Sequence, residues 1–474
     1  MRPTIGNVNA SPDALAVTTV WPFFVGAALA GATVARTAAT ARAARRQPSA
    51  VSGQQVTRAG SGVTLAPVLR SPALVVRSTD ESHRVTTLEL FFDLVFVFAI
   101  TQVTQLMADD PTARGLGRGL VLMALLWFGW TSYAWLGNQA KADEGLLRLA
   151  MVVTMGALFV VALAIPESFV DKPGGLFGPF VLAACYATVR LAHLAVYVVA
   201  AGDDRALRRR LFVTAIPTAV ACLLLVAGGA VGPPWQTALW VLALVVDYGG
   251  VFLAGTEGWR VYSAAHFAER HGLIIIVALG ESVVAVGAGV ADDPVTVAVV
   301  VAAMLALLVS VALWWVYFDV VALVAERVLA GLQGEPRSRL ARDSYTYLHF
   351  PMLAGIVYLA LGVKKVLEYV ADTEHHDLGE SLSWVPLVAL YGGAVLYLVA
   401  LSALRRRNIG GWNVQRLLAS ALLIALLPVA HAVPALVALA TLAFVLAALI
   451  SYEALRLAQE RDRIRHQTHD AGLA

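Results

Sequence analysis

The sequence predicts an all-α integral membrane protein with about twelve transmembrane helices. Three observations indicate this fold: an apolar composition, twelve apolar runs of spanning length, and an uneven distribution of Lys and Arg between alternate connections. Hydrophobic residues make up 59% of the chain and charged residues 14%, and the mean hydropathy is +0.73. Because a water-soluble domain does not have this balance, most of the chain is predicted to lie in lipid.

The twelve apolar runs follow residue 84 and are separated by turn residues or charges. A helix needs about 20 apolar residues to cross a hydrocarbon layer of about 30 Å. The predicted spans are 86–108, 119–137, 148–166, 177–201, 211–231, 235–254, 271–290, 295–318, 345–363, 384–403, 415–431 and 433–456.

The basic residues give the predicted orientation. The even-numbered connections and the tail hold twenty Lys and Arg residues, including the run Arg208, Arg209 and Arg210, whereas the odd-numbered connections hold five. Short basic loops resist translocation, so both ends of the twelve-helix core are predicted to be cytoplasmic, in the cell membrane. Lys364 and Lys365 are among the five residues assigned to the external side.

The segments outside the core have a different composition. Residues 1–82 form a predicted variable or disordered extension, in which the uncharged stretch 14–35 is a candidate extra transmembrane helix. A dispensable extension is the alternative. At the other end, residues 457–474 form a predicted cytoplasmic tail.

An internal duplication is predicted from matching segments. The first and seventh spans each begin near a histidine and a carboxylate, and the Trp127, Trp130 and Tyr133 cluster resembles Trp314, Trp315 and Tyr317. We therefore predict two parallel six-helix repeats, residues 83–256 and 257–456, related by an axis along the membrane normal. Chance similarity between apolar helices is the alternative.

Several ionisable residues lie inside the predicted spans. A charge in lipid needs a partner, a water cavity or a function, so these positions are candidate sites. Glu89 and Asp93, four residues apart, lie on one face of the first span. Together with Glu281 and Asp319 they are the predicted ion or proton sites, and the predicted counter-charge or relay residues are Arg190, His193, Asp247 and His349. We expect a polar cavity open to the cytoplasm, in which Arg190 pairs with Asp93 or Glu281; simple hydrogen bonding between helices is the alternative.

Other signals exclude common activities. Cys185 and Cys222 lie in apolar runs and indicate no disulfide or metal site, and His375 and His376 indicate a solvated loop. The chain has no phosphate-binding loop, zinc-protease helix or nucleophile elbow, so we expect no enzyme, no cofactor, no metal and no nucleic-acid partner. The expected partners are the lipid bilayer and an unknown small ion or solute; the sequence leaves the oligomeric state open.

Three motifs resemble those of the bacterial low-temperature-requirement A family. They are ELFFDLVFVFAIT at Glu89–Thr101, HFAERHGLIIIVALGES at His266–Ser282, and WWVYFD at Trp314–Asp319, and they contain the motif residues Glu269, Arg270, Gly280, Trp314 and Trp315. The resemblance runs from about His83 to the tail. It implies a multi-pass membrane protein and leaves the activity open.

The leading functional hypothesis is a proton- or cation-coupled secondary transporter or channel of unknown substrate. The alternative is a non-transporting membrane scaffold or an envelope-adaptation protein, in which the charges hold helices together. An intramembrane lipid enzyme is a weaker hypothesis, because the aspartate-rich loops that would hold a metal and a diphosphate are absent from the sequence.

Overall fold

The computed structural model describes residues 81, 83–290 and 293–456. Most of these residues are helical, none of them forms a strand, and they include twelve helices long and apolar enough to cross a membrane. The predicted all-α fold with about twelve spans is thus confirmed. The candidate helix at 14–35 and the tail at 457–474 lie outside the described residues.

Fourteen α-helices make up the described part of the chain, and two shorter helical segments join some of them. In order they are α1 (Thr87–Asp109), α2 (Ala113–Gln139), α3 (Gly145–Ala164), α4 (Gly178–Ala200), α5 (Arg205–Val231), α6 (Trp235–Ala254), α7 (Ala264–Ala288), α8 (Val297–Phe318), α9 (Val321–Ala330), α10 (Gly334–Leu340), α11 (His349–Ala371), α12 (Trp384–Ile409), α13 (Val414–His431) and α14 (Ala435–Arg456). A 3₁₀ turn at Ile165–Glu167 extends α3, and a π-helical segment at Ala341–Tyr347 joins α10 to α11.

Several helices extend past their predicted ends through charged residues, and in α7 and α11 some of these charges are buried. Helix α7 begins at Ala264 and therefore contains Arg270, while α11 continues to Ala371 and contains Lys364. The assignment of Lys364 to an external loop is wrong, because this side chain is 7% exposed within α11. Both charges have partners on α1, so the helical bundle accommodates them where hydropathy alone would end a span.

Helix caps fix where α1 and α7 begin. Thr86 and Glu89 form a capping box, in which the Thr86 hydroxyl accepts from Glu89 N and the Glu89 carboxylate accepts from Thr86 N at 2.9 Å. On α7, the Ser263 hydroxyl accepts from His266 N at 3.1 Å. These caps hold Glu89 and His266 in the first turn of adjacent helices.

The centre of the bundle is formed by α1, α2, α7 and α11, which contact one another, whereas α5, α6 and α13 present many apolar side chains at the surface. The same neighbours recur in the two halves. Helix α1 packs on α2 and α3 as α7 packs on α8 and α11, and α4 packs on α5 as α12 packs on α13. Two parallel repeats would produce these matching pairs; the duplication and its boundaries stay a prediction.

Candidate functional site

A row of polar residues runs along the full length of α1. Every fourth residue from Glu89 to Asp109 belongs to it, and the members are Glu89, Asp93, Val97, Thr101, Gln105 and Asp109. Residues four apart are neighbours on a helix surface, and a row of them winds about 40° around the axis at each step. Twenty residues rise about 30 Å, which is the thickness of the hydrocarbon layer. Only Val97 in this row is apolar. The row of mostly polar side chains therefore winds around α1 over most of its length, from the buried Glu89 and Asp93 to the exposed Gln105 and Asp109.

The first member, Glu89, contacts His266 on α7. Its carboxylate oxygens lie 3.0 and 3.2 Å from His266 Nε2, and both side chains are buried. The Asn138 side chain on α2 sets the histidine tautomer: its Oδ1 accepts from Tyr262 N at 2.7 Å, so its Nδ2 is the donor that faces His266 Nδ1 at 3.2 Å. In its neutral form, His266 therefore carries the proton on Nε2 and donates it to Glu89.

The second member, Asp93, forms an ion pair with Arg270 on α7. Arg270 Nη1 donates to Asp93 Oδ2 at 3.2 Å, and Nη2 lies 3.1 Å from Oδ1. Trp130 on α2 donates from Nε1 to Asp93 Oδ1 at 2.7 Å, and the guanidinium carbon lies 5.2 Å from the Trp130 ring centroid. This buried carboxylate thus has both oxygens engaged and joins three helices.

Beyond Val97, the next member of the row, Thr101, contacts Glu281 of α7. The Thr101 hydroxyl lies 2.6 Å from Glu281 Oε2, and Glu281 is 2% exposed. Among the residues that the structure describes, no Lys, Arg or His nitrogen lies within 4 Å of this carboxylate. Glu281 lies about 26 Å along the axis from the start of α7, so it belongs to the opposite half of the bundle from Glu89.

The last part of the row reaches the far end of α1. Gln105 accepts from Lys364 Nζ of α11 at 2.5 Å and donates from Nε2 to Asp109 at 2.6 Å. Lys364 also lies 3.9 Å from Glu368. Helices α1, α7 and α11 therefore share three groups of interacting polar side chains. They are Glu89 and Asp93 with α7, Thr101 with Glu281, and Gln105 with Lys364.

A second polar cluster lies between α4, α5 and α6. Arg190 Nη2 donates to Asp247 Oδ1 and to the Thr218 hydroxyl, at 3.0 and 3.1 Å, and Arg190 Nη1 contacts the Ser132 hydroxyl. Tyr186 donates to the other Asp247 oxygen at 3.0 Å. The expectation that Arg190 pairs with Asp93 or Glu281 is wrong, because α4 faces α6 at this level and Arg270 supplies the charge beside Asp93.

A cavity of about 60 Å³ adjoins this second cluster and reaches the connection after α6. Arg190, His193, Thr214, Thr256 and Arg342 contribute to its lining, and it has room for a few water molecules. Asp93, Glu281, Asp319 and His349 do not line it. The expectation of one shared cavity is therefore wrong, since the predicted residues are divided among separate helix interfaces.

The remaining predicted residues lie elsewhere. His349 is buried between Tyr317 and the Ser344 carbonyl, at 3.0 and 2.8 Å, in a hydrogen-bonded packing position. Asp319 and Trp315 line a surface cleft beyond the end of α8. Of the other motif residues, Trp314 is 43% exposed, Gly280 immediately precedes Glu281, and Glu269 lies at the surface, 3.9 Å from Arg84.

One group of side chains has the composition of a metal site. Ligand atoms of His83, Glu89 and His266 lie within 4.8 Å of one another. A metal bound to His266 Nε2 would place the imidazole proton on Nδ1, opposite the Asn138 amide donor. Because a metal-binding histidine needs an acceptor at that position, these residues do not fit a metal ion, and the expectation of no metal stays a prediction.

The sequence analysis missed six polar residues of the row and its partners, namely Thr101, Gln105, Asp109, Trp130, His266 and Lys364. The spacing of four between Glu89 and Asp93 continues through Thr101, Gln105 and Asp109, so the row was visible in the sequence. The partners on other helices carry no such signal, because which helices are neighbours depends on the tertiary fold.

The fold and its buried polar contacts between helices define a multi-pass helical membrane protein. Comparison with known proteins gives its family. Residues 84–451 match the family described as "Bacterial low temperature requirement A protein (LtrA)", and the chain belongs to this family. It is also 29% identical over 327 residues to an uncharacterized protein of Rhizobium meliloti (strain 1021), an alignment that covers 67% of this chain and 76% of that relative. No solved structure matches this chain.

Proposed function

We propose that the protein is a proton- or cation-coupled secondary transporter or channel of the cell membrane, and not an enzyme. The observation that supports this proposal is the polar row on α1, which extends about 30 Å and ends on ionisable partners in both halves of the bundle. Its transported partner would be a small ion or solute. The termini of the core would be cytoplasmic, as the distribution of basic residues favours.

Glu281, the α7 partner of Thr101 in this row, is the residue best suited to exchange a proton. The Thr101 hydroxyl has one proton and two acceptors within reach, since it lies 2.6 Å from Glu281 Oε2 and 3.2 Å from the Val97 carbonyl. When Glu281 is charged, Thr101 donates to it; when Glu281 is protonated, Glu281 donates and Thr101 turns to Val97. Both states are hydrogen-bonded. Glu281 could therefore take up a proton from water or release one to water, while rotation of the Thr101 hydroxyl keeps both side chains paired.

The pairs at the start of α1 would have another role. Asp93 is bound by Arg270 and Trp130, and Glu89 by His266, so both carboxylates have donors for their charged forms. They would hold a fixed charge near the entrance of the path. The apolar interruption at Val97, beside the buried Phe96 and Ile100, would separate the two polar halves and limit leakage.

Proton flux into proteoliposomes tests the proposal. Purified protein would be reconstituted with an internal pH-sensitive dye, and pH, Na⁺ and K⁺ gradients imposed in turn. We expect flux in the wild type and its loss in Glu281→Gln, which keeps the size of the side chain and its ability to accept from Thr101. Glu335→Gln is the matched control, because this glutamate is exposed and its partner is Arg339.

Two results would overturn the proposal. A wild type that moves no protons under any imposed gradient would exclude proton coupling and favour the scaffold hypothesis. Equal flux in the wild type and in folded Glu281→Gln would remove Glu281 from the path. Size-exclusion chromatography and thermal unfolding of each variant separate loss of transport from loss of folding.

A further inference from the structure

A cleft of about 400 Å³ lies among the ends of α8, α12, α13 and α14, beside the connection from α12 to α13. Among the residues that the structure describes, its charged lining consists of Asp319, Arg405, Arg416, Glu453 and Arg456. Three arginines against two carboxylates leave one net positive charge. A cleft of this size can hold a small molecule or a lipid headgroup, and its charge favours an anion.

Arg416 supplies a buried donor to this cleft. The side chain is 5% exposed, and two of its nitrogens donate hydrogen bonds to Glu453. Nε donates to Oε1 at 2.8 Å, and Nη2 donates to Oε2 at 2.9 Å. Asn413 Nδ2 also donates to Glu453 Oε1, at 3.0 Å. Within the described parts of the chain, the third nitrogen, Nη1, has no hydrogen-bond acceptor. A buried guanidinium N–H without an acceptor is unfavourable, so this group favours a bound oxygen ligand.

The rim of the cleft has the composition of a membrane interface. Trp315, Trp412 and Tyr452 line it, and such aromatic residues concentrate where hydrocarbon meets headgroups. Ile409 and Val414 are 49% and 57% exposed at the same rim. This end of the bundle also carries the basic run Arg405, Arg406 and Arg407, which is typical of the side that faces anionic lipid.

We propose that the cleft binds the phosphodiester of an anionic membrane phospholipid. Arg405, Arg416 and Arg456 would donate to the phosphate oxygens, which guanidinium groups bind well because their donors match the spacing of two oxygens. The single net charge of the cleft matches a lipid with one net negative charge. The acyl chains of the lipid would extend from the cleft into the hydrocarbon layer across Ile409 and Val414. This site does not depend on the proposed transport function.

Native mass spectrometry of the delipidated full chain in detergent tests the site, with phosphatidylglycerol or phosphatidylcholine titrated in. We expect the wild type to bind one phosphatidylglycerol at least tenfold more tightly than phosphatidylcholine. The double variant Arg405→Gln/Arg456→Gln should reduce this preference to threefold or less. The control is Arg406→Gln/Arg407→Gln, which also removes two charges. Neither side chain lines the cleft, and Arg407 is paired with Asp343.

Three results would overturn the proposal. The first is equal binding of the two lipids by the wild type. The second is an equal loss of preference in Arg406→Gln/Arg407→Gln and in Arg405→Gln/Arg456→Gln. The third is competition by deacylated glycerophosphoglycerol at the concentration at which the lipid binds, which would assign the cleft to a soluble phosphate compound. If the double variant does not fold, the lipid preference of the wild type and the competition experiment still test whether the cleft binds an anionic phospholipid.

Discussion

Arg270 of α7 and Asp93 of α1 form a buried ion pair in which both carboxylate oxygens face the guanidinium group, at 3.1 and 3.2 Å. We expect Arg270→Met to destabilise the protein by about 3 kcal/mol or more, because Asp93 would be left buried without its counter-charge. The double variant Arg270→Met/Asp93→Leu should recover much of this loss. The free energy of unfolding, measured by denaturant titration in detergent, checks both values; additive losses would contradict the pairing.

Trp130 contributes a hydrogen bond to the same carboxylate. Trp130→Phe keeps an aromatic ring and removes the Nε1 donor that lies 2.7 Å from Asp93, so we expect a loss of about 1 kcal/mol. Trp235→Phe is the control, since Trp235 is 65% exposed, and it should change stability by less than about 0.5 kcal/mol. Thermal unfolding of both variants measures the difference. Equal losses of stability in the two variants would mean that the hydrogen bond from Trp130 Nε1 does not stabilise the protein.

The buried pair of Arg190 with Asp247 should be far more important than an exposed pair nearby. Asp247→Ala leaves Arg190 buried without its charge partner, and we expect a loss of about 3 kcal/mol or more. The comparison is Glu257→Ala, which breaks the pair with Arg210 at a side chain that is 76% exposed and should cost less than about 1 kcal/mol. The two unfolding free energies, determined under one set of conditions, test this ranking.

His375 and Asp372 form a pH-sensitive contact in the loop after α11, where His375 Nδ1 lies 2.9 Å from Asp372 Oδ2. This hydrogen bond raises the pKa of His375 and lowers the pKa of Asp372. The contact is therefore present while His375 is charged and is lost as the pH rises through its raised pKa. We expect the NMR titration midpoint of His375 to be lower in Asp372→Asn than in the wild type. Identical midpoints would refute the contact.

Metal addition and removal should have no effect on stability. Asn138 places an amide donor against His266 Nδ1, which opposes a metal ion on Nε2. We expect the same unfolding temperature in EDTA, in Zn²⁺ and in buffer alone. A saturable rise with Zn²⁺ in the wild type that is absent in His83→Gln would show that the three residues bind metal.

Much of the architecture could be predicted because lipid imposes its own rules on sequence. Spanning helices need long apolar runs, so all twelve spans could be located, with errors confined to their ends. The largest errors fell at α7 and α11, where His266, Arg270 and Lys364 lie inside helices. Hydropathy ends a span at a charge, whereas a bundle retains the charge when a neighbouring helix supplies a partner.

The sequence by itself determined the membrane fold, the family motifs and the identity of most buried ionisable residues. It also contained the spacing of four that places Glu89, Asp93, Thr101, Gln105 and Asp109 in one row on α1. Only the tertiary structure decided the partners: Arg270 for Asp93, Asp247 for Arg190, and Thr101 for Glu281. The physical reason is that spacing along a helix is local, whereas an ion pair between helices depends on which faces pack together across hundreds of residues of sequence.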